Sequence, residues 1–426
     1  MVLLDRSVAP AISDFEDYRL AAPESFVSTN GIASHFFRNS SLDLLHFTLL
    51  IKAGKNYEKA KCVADACFNV LKEHRADETS ADFSALIDGF GASLRVNVYM
   101  ESVYINIIVP KRNAEKCLDL IFELLLNPSF EEQDIDIYKK RKIKDLQYQA
   151  LRVDIRALQL LFSNFFKRGT PTQTVISEEL VNKVTVNQIV EYYKESVCAE
   201  NMTFFAAGNI DDDLKEKIDK LLLKVPNNKR LALVSEITHD DYGKKIEEEH
   251  EDAMQTAVLL CRRILEVSDD TERELDVLTT LYGNYFGSRL MQNLRERHGY
   301  TYNVSCISSR FGEKDMLFYV SAEVNKNNRY DVVEECFNEM RRLKTEPVGA
   351  DELQIVKNYL QGSLLRNIDG VTSIMKYFSS LCVHHACDVN EFYLQRDAIK
   401  NISSERIMAL SNLIFDETLF ASILVG

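Results

Sequence analysis

Hydrophobic positions along the chain recur with two periods, and each period indicates one kind of element. Alternating apolar and polar residues indicate strands, whereas apolar residues spaced by three and four indicate amphipathic helices. In the first half these patterns predict strands at 25–29, 32–37, 42–53, 93–100, 103–109 and 202–208, and helices at 59–74, 79–90, 114–126, 130–168, 187–196 and 211–223. In the second half they predict strands at 253–264, 300–308, 316–324 and 418–425, and helices at 270–285, 290–298, 330–342, 351–365, 373–381 and 407–413.

The order of predicted elements in the second half repeats the order in the first. A repeat of roughly 200 residues is far too long for a solenoid unit, so it indicates a duplicated domain. Strands occur in pairs and helices in runs, which favours the α+β class over alternating βαβ units. We predict two tandem homologous domains, 1–225 and 244–426, each a mainly antiparallel sheet covered by helices. Turn-forming residues between Pro226 and Gly243 predict a linker at 226–243.

Charge and composition exclude several classes of function. The net charge of −14 argues against a nucleic-acid partner, since phosphate binding needs a basic surface. The absence of any run of about 18 apolar residues predicts no transmembrane helix and no membrane partner. The start of the chain lacks a basic segment followed by an apolar run, so we expect no signal peptide. These features favour a cytoplasmic protein, or a periplasmic one if a leader is missing.

The cysteines predict buried thiols and not a disulfide framework. There are nine of them, an odd number, and none is arranged as Cys-x-x-Cys. Six lie inside apolar runs, which is typical of core thiols in a reducing compartment. These six are Cys62, Cys67, Cys117, Cys261, Cys306 and Cys336.

The segment 286–305 carries the clearest chemical signal in the chain. A helical pattern ends in a basic turn, Gly299 follows as the residue that most easily adopts a left-handed conformation, and a strand pattern begins. Arg295 stands late in the helix and Tyr302 early in the strand, so the turn can fold them toward one space. Arg offers planar donors to a carbonyl or carboxylate, and Tyr offers one donor to a developing oxyanion.

A simpler interpretation of the same pair is a surface Arg and a core Tyr. Tyr302 shares its predicted strand face with Tyr300 and Val304, and such a stripe commonly packs into a core. The pattern of the residues leaves both interpretations open.

The motifs Gly287-Ser-Arg-Leu, Leu294-Arg-Glu and Gly299-Tyr-Thr-Tyr302-Asn-Val resemble the C-terminal half of the insulinase/pitrilysin-type zinc metallopeptidases. That family includes the mitochondrial processing peptidases and their bacterial relatives. The resemblance covers nearly the whole chain, strongly in the second half and by pattern alone in the first. It implies two similar α+β domains facing each other across a cleft. It also implies that Arg295 and Tyr302 hold the substrate backbone and help to polarise the scissile carbonyl.

The first half departs from the family at the zinc site. The family carries His-x-x-Glu-His on a helix, where two His bind zinc from one face and the Glu activates water. The matching positions here hold Asp65, Phe68 and Asn69, and no His-x-x-Glu-His occurs in either orientation. The family's distal acidic ligand would fall near Asp145 to Gln147. We therefore expect no cofactor on this chain and a zinc ion on a partner chain.

Other candidate sites are weaker. His384 and Cys387 are three apart and make at most half a metal site. His298 is expected to act as a helix-end cation, with a substrate contact as the alternative. Asp65 and Asp145 are expected to be solvated carboxylates and not an ion site. No nucleophile elbow, phosphate-binding loop or dinucleotide-binding motif is found in the sequence.

Several functions follow as hypotheses. The resemblance implies that this chain is the non-catalytic, substrate-binding subunit of a bacterial heterodimeric zinc peptidase and is inactive alone. Its partner would be a homologous zinc-binding subunit, and its substrate a peptide. The alternative is a degenerate structural or interaction protein without hydrolytic activity, such as a homodimer. A third hypothesis, an active protease with relocated ligands, would require activity from this chain alone.

Overall fold

A computed structural model describes residues 18–39, 43–73, 75, 78–165, 173–228, 231–234, 244–251, 253–311 and 314–426. This part of the chain forms two mixed sheets and many helices, in agreement with the predicted α+β class. The strands are β1 (Glu24–Val27), β2 (Ala33–Arg38), β3 (Leu44–Ile51), β4 (Ser93–Val98), β5 (Val103–Pro110), β6 (Met202–Gly208), β7 (Lys245–Glu248), β8 (Gln255–Ile264), β9 (Val304–Phe311), β10 (Asp315–Asn325) and β11 (Ala421–Val425).

The helices follow the predicted order closely. They are α1 (Val63–Leu71), α2 (Ser80–Gly89), α3 (Ala114–Leu126), α4 (Glu132–Ala150), α5 (Val153–Phe165), α6 (Glu178–Asn182), α7 (Val186–Ser196), α8 (Asp212–Leu222), α9 (Asp269–Gly283), α10 (Arg329–Thr345), α11 (Ala350–Arg366), α12 (Gly370–His384), α13 (Asn390–Asn401) and α14 (Ser404–Ile414). A π-helix spans Met291–Arg297.

The two sheets share one topology. The first has the order β1-β2-β6-β3-β5-β4 and the second β7-β11-β8-β10-β9. β2 pairs with β6 in parallel, and β7 pairs with β11 in parallel, while the other neighbours are antiparallel. Apart from the extra strand β1, each strand of one sheet has a counterpart in the other, which is the arrangement that a duplicated unit produces.

Two predicted elements differ in extent from the structure, and three observed elements were not predicted. The single helix predicted at 130–168 is two helices, α4 and α5, separated at Leu151 and Arg152. The strand predicted at 300–308 starts only at Val304, because the Thr301 hydroxyl lies 2.8 Å from the Glu323 carbonyl oxygen and takes the place of a ladder hydrogen bond. Sequence periodicity also missed the short or weakly amphipathic elements α6, α13 and β7.

Each half of the chain supplies one helix to the sheet of the other half. From α5, Val153, Ala157 and Leu161 join a buried cluster with Ala257 and Leu259 of β8. In return, α12 packs on β3 and β6 of the first sheet. Both central strands are thereby covered on both faces, which explains why β3 and β8 have nearly continuous apolar sequences.

Candidate functional site

The turn after the π-helix has the geometry that the sequence predicted. Gly299 has a φ of +65°, in the left-handed region. Its N–H donates to the Arg295 carbonyl oxygen at 3.1 Å, and the Tyr300 N–H donates to the Leu294 carbonyl oxygen at 2.8 Å. These two bonds close the helix end and set the direction in which the chain leaves toward β9.

The Arg295 side chain lies on the surface beside the turn. It is 34% exposed, and its guanidinium carbon stands 4.6 Å from the centre of the Phe286 ring. Its Nε approaches Glu296 Oε1 to 3.6 Å. Because a stacked guanidinium keeps its N–H donors in its own plane, the ring face supports the group without using those donors. Beside it, the imidazole of His298 stacks on Tyr300 at 4.9 Å.

Tyr302 is not a core residue. Its side chain is 89% exposed, whereas Val304, two positions on, is buried. The two residues differ in burial because Tyr302 lies before Val304, the first residue of β9 that pairs with β10. Tyr302 stands at the rim of a cavity of about 330 Å³ between α5 and the second sheet. Other residues around this cavity include Asp154, Leu158, Gln255, Thr301, Tyr319 and Glu323.

The positions of the degenerate zinc motif lie on α1, against α4. Asp65 accepts hydrogen bonds from Lys142 Nζ at 2.9 Å and from the Tyr138 hydroxyl at 2.8 Å, both on Oδ2. Burial alone would raise the pKa of Asp65. The charge of Lys142 and the hydrogen bonds from Lys142 and Tyr138 outweigh this effect, so the pKa of Asp65 lies below its ordinary value. Asp65 is therefore the anionic partner of a largely buried ion pair, and not a solvated carboxylate as the sequence analysis expected.

The remaining positions do not complete a ligand set. Phe68 is fully buried and carries no donor atom. The Asn69 amide donates to the Asp65 carbonyl oxygen at 2.9 Å, while Asp145 and Gln147 are exposed on α4. Since the single carboxylate oxygen facing α4 is taken by Lys142 and Tyr138, these residues do not fit a zinc ion.

Lys142 and Tyr138 were missed by the sequence analysis. Lys142 lies 77 positions from Asp65, and one Lys in a charged helix gives no sign of what it contacts. The only available signal was that Lys142 lies one turn before the expected distal ligand position on the same helix.

Replacing Lys142 by Met should destabilise the protein by about 3 kcal/mol at neutral pH, since a buried carboxylate loses its partner. The depressed pKa of Asp65 contributes stability above its unfolded value, and this contribution disappears as pH falls through the folded value. The difference between variant and wild type should therefore begin to shrink as pH falls toward the ordinary aspartate pKa of about 4, and should vanish only below the depressed pKa of folded Asp65. Urea unfolding, followed by circular dichroism across this pH range, measures the free energy of unfolding of both proteins.

Two comparisons control for this result. Lys183→Met, which removes an exposed ion pair with Glu179, should change stability by less than about 1 kcal/mol. Asp65→Asn combined with Lys142→Met should recover part of the loss. A destabilisation that stays constant between neutral and acid pH would contradict the assignment of the effect to Asp65.

The other predicted metal candidates are arranged differently from the expectation. Cys387 does not pair with His384, because it forms a disulfide with Cys382. His385 lies 3.9 Å from Glu272 and 3.8 Å from Glu391, and these two carboxylates also bind Arg310 and Arg273, respectively. The six cysteines predicted as core thiols are free and buried, as expected. No helix in the described ranges is long and apolar enough to cross a membrane.

Comparison with known proteins gives a consistent relationship. Residues 183–360 match the family described as "Peptidase M16 inactive domain". The chain is 22% identical to an uncharacterized zinc protease of Streptomyces coelicolor, over 71% of this chain and 68% of that protein. It is 20% identical to the mitochondrial-processing peptidase subunit beta of Neurospora crassa, over 76% of this chain and 71% of that protein.

A solved structure shares the fold. The crystal structure of a peptidase M16 inactive domain from Pseudomonas fluorescens superposes with a TM-score of 0.84, covering 95% of this chain and 98% of that one at 17% identity. The fold is that of peptidase M16 chains, and the helix α1, at the zinc-motif position, carries no His-x-x-Glu-His. The family match over residues 183–360 and the relatives along most of the chain together support an insulinase-type M16 peptidase family member.

Proposed function

We propose that this chain is the substrate-binding, non-catalytic subunit of a heterodimeric zinc metallopeptidase that cleaves peptides. The observation that carries the proposal is the contrast between the two halves. On α1 the metal positions are taken by an ion pair and a buried Phe68, whereas Arg295 and Tyr302 are displayed at the surface around an ordered turn. The zinc ion and the catalytic base belong to a homologous partner.

The roles proposed for this chain are binding and charge stabilisation. Arg295 fixes a carbonyl or carboxylate of the peptide with the in-plane donors of its guanidinium. Tyr302 donates its hydroxyl proton in a hydrogen bond to the oxyanion that develops at the scissile carbonyl. The Tyr302 phenol, which is 89% exposed, can enter a partner's site because no side chain among the described residues covers it.

The two chains would enclose the peptide, which adds as a strand to a sheet edge of the partner. The similar subunit beta of the mitochondrial-processing peptidase is by its name one part of a larger assembly, which supports a two-chain organisation. The partner itself is the homologue that carries His-x-x-Glu-His.

The test is cleavage of a quenched-fluorescence peptide library by this chain, by the zinc-motif homologue, and by their mixture with zinc. We expect activity in the mixture and none from this chain alone. Co-migration of the two chains in size-exclusion chromatography should accompany the activity.

Arg295→Ala should lower kcat/KM of the mixture by about 10- to 100-fold, the equivalent of one charge-assisted hydrogen bond. Arg297→Ala serves as the matched control, because Arg297 is two positions away on the same helix and exposed. We expect that control to remain near wild type.

The outcomes separate the proposed functions. Activity of this chain alone would show a relocated catalytic site and overturn the proposal. A stable homodimer that neither binds the homologue nor cleaves peptides would favour the structural or interaction protein instead.

A further inference from the structure

A second group of potential metal ligands lies where α12 meets the first sheet, away from the degenerate zinc helix. His35 is in β2, paired with Ser25 of β1 on one side and with Phe205 of β6 on the other. Its ring stacks on Phe205 at 5.4 Å and meets the edge of Phe378 from α12 at 5.3 Å. The imidazole is therefore enclosed by both halves of the chain, with a residue exposure of 9%.

The two ring nitrogens of His35 have different surroundings. Nδ1 lies 2.8 Å from the Ser25 hydroxyl oxygen. Nε2 is buried and has no hydrogen-bond partner among the described residues. A buried polar atom without a partner is costly, and a structure that retains one calls for a ligand or another role.

Two sulfur atoms stand next to this imidazole. Cys382 is in the last turn of α12, and the chain then turns back through Ala386 and Cys387, whose φ angles are +48° and +62°. Two consecutive non-glycine residues in the left-handed region are unfavourable, so this turn is held by its surroundings. In the structure the sulfurs form the Cys382–Cys387 disulfide.

One nitrogen of His35 and the sulfurs of Cys382 and Cys387 lie within 4.8 Å of one another. A neutral imidazole and two thiolates suit Zn²⁺, and three protein ligands leave a fourth position for water. A metal-bound His normally has its other nitrogen held by an oxygen atom. Here the Ser25 hydroxyl holds Nδ1 and leaves the unpartnered Nε2 for the metal. The second group of this kind, Asp269, Glu272 and His385, differs because Arg310 already neutralises its carboxylates.

We propose that, once the Cys382–Cys387 bond is reduced, His35, Cys382 and Cys387 bind one Zn²⁺ ion between the two halves of the chain. A dithiol supplies the two electrons: the S–S bond breaks, two thiols form, and the dithiol becomes a disulfide. Zinc binding then releases one proton from each thiol. The site alternates between a disulfide that joins α12 to the turn after it and a metal bridge from these two cysteines to β2.

The bridge has a structural consequence. The disulfide joins two residues of the second half, whereas the metal would join that half to the first sheet. This inference is independent of the proposed peptidase role, because it concerns neither Arg295 nor Tyr302.

The experiment uses the full-length chain, reduced with dithiothreitol and desalted under nitrogen. Titration with Co²⁺ should give one equivalent bound, with thiolate-to-cobalt charge-transfer absorption and the visible bands of a tetrahedral ion. Added Zn²⁺ should remove these bands, and the untreated disulfide form should show none. Atomic emission after dialysis against Zn²⁺ provides the stoichiometry.

Variants locate the ion. Cys387→Ser should abolish the cobalt spectrum. Ser25→Ala should weaken metal binding by about 10-fold or more, because it removes the hydroxyl that holds Nδ1 of His35. Ser25 is exposed, so we expect this variant to fold normally. Cys198→Ala and His46→Gln, which alter a free buried thiol and another buried imidazole, should leave the spectrum unchanged.

Two results would overturn the inference. The first is a reduced wild-type chain that binds no stoichiometric Co²⁺ or Zn²⁺. The second is binding that is unchanged in both Cys387→Ser and Ser25→Ala.

Discussion

Replacing Tyr302 by Phe should reduce kcat of the assembled peptidase by about 10²–10³-fold. The substitution removes one hydroxyl from a side chain that is 89% exposed, so folding and assembly should be unaffected. The loss arises because the proposed hydrogen bond strengthens as negative charge develops on the scissile carbonyl. Steady-state cleavage by the mixed chains measures it, and KM should change much less than kcat.

The matched control is Tyr148→Phe, which removes a hydroxyl from a Tyr of α4 that is 69% exposed. We expect wild-type kinetics for that variant. Wild-type activity of Tyr302→Phe in a complex of confirmed stoichiometry would refute the role assigned to this hydroxyl. The subunit assignment would then depend on Arg295 alone.

Replacing Phe378 by Ala should destabilise the protein by about 3–5 kcal/mol and should do so for both halves together. Phe378 belongs to α12 of the second half, yet its ring contacts Phe37 at 5.0 Å and Phe205 at 6.1 Å in the first sheet. The cavity therefore opens between the halves and weakens their shared core. Chemical unfolding is best followed by far-ultraviolet circular dichroism, because the chain contains no Trp.

Leu161→Ala in α5 tests the reciprocal contact, since Leu161 is fully buried against the second sheet. It should cost about 2–5 kcal/mol. The control is Leu151→Ala, because Leu151 is 69% exposed. The stability of this variant should lie within about 0.5 kcal/mol of wild type. Two separate unfolding transitions, with only one of them shifted by either core variant, would show that the halves do not unfold as one unit.

Much of the local structure was predictable from the sequence. Alternation and helical spacing identified the strand pairs and most helices, because these periods depend on which face of an element is buried. The helix predicted from residue 79 does begin there, and the Thr79 hydroxyl, at the N-cap, accepts a hydrogen bond from the Asp82 N–H at 3.2 Å. The left-handed turn at Gly299 was also predicted from its local signals.

The break between α4 and α5 was not predictable. The periodicity of 130–168 is compatible with one long helix, and the chain changes direction at Leu151 because α5 packs on the other sheet. A helical pattern shows that a face is buried but does not identify the surface that buries it.

Some features of the candidate site were likewise predictable from the sequence, and one was not. The loss of His-x-x-Glu-His and the spacing of Arg295 and Tyr302 were both visible in the sequence. The exposure of Tyr302 was not, because it depends on Thr301 bonding to β10 and delaying the start of β9.

The sequence by itself determined the order of elements, the duplicated pattern and the absence of the zinc motif, since each of these depends on residue types at short spacing. Only the tertiary structure decided the exchange of α5 and α12, the ion pair of Asp65 with Lys142, and the meeting of His35 with Cys382 and Cys387. These contacts join residues far apart in the chain. Their partners are selected by how the two sheets and their helices pack, and no local period carries that information.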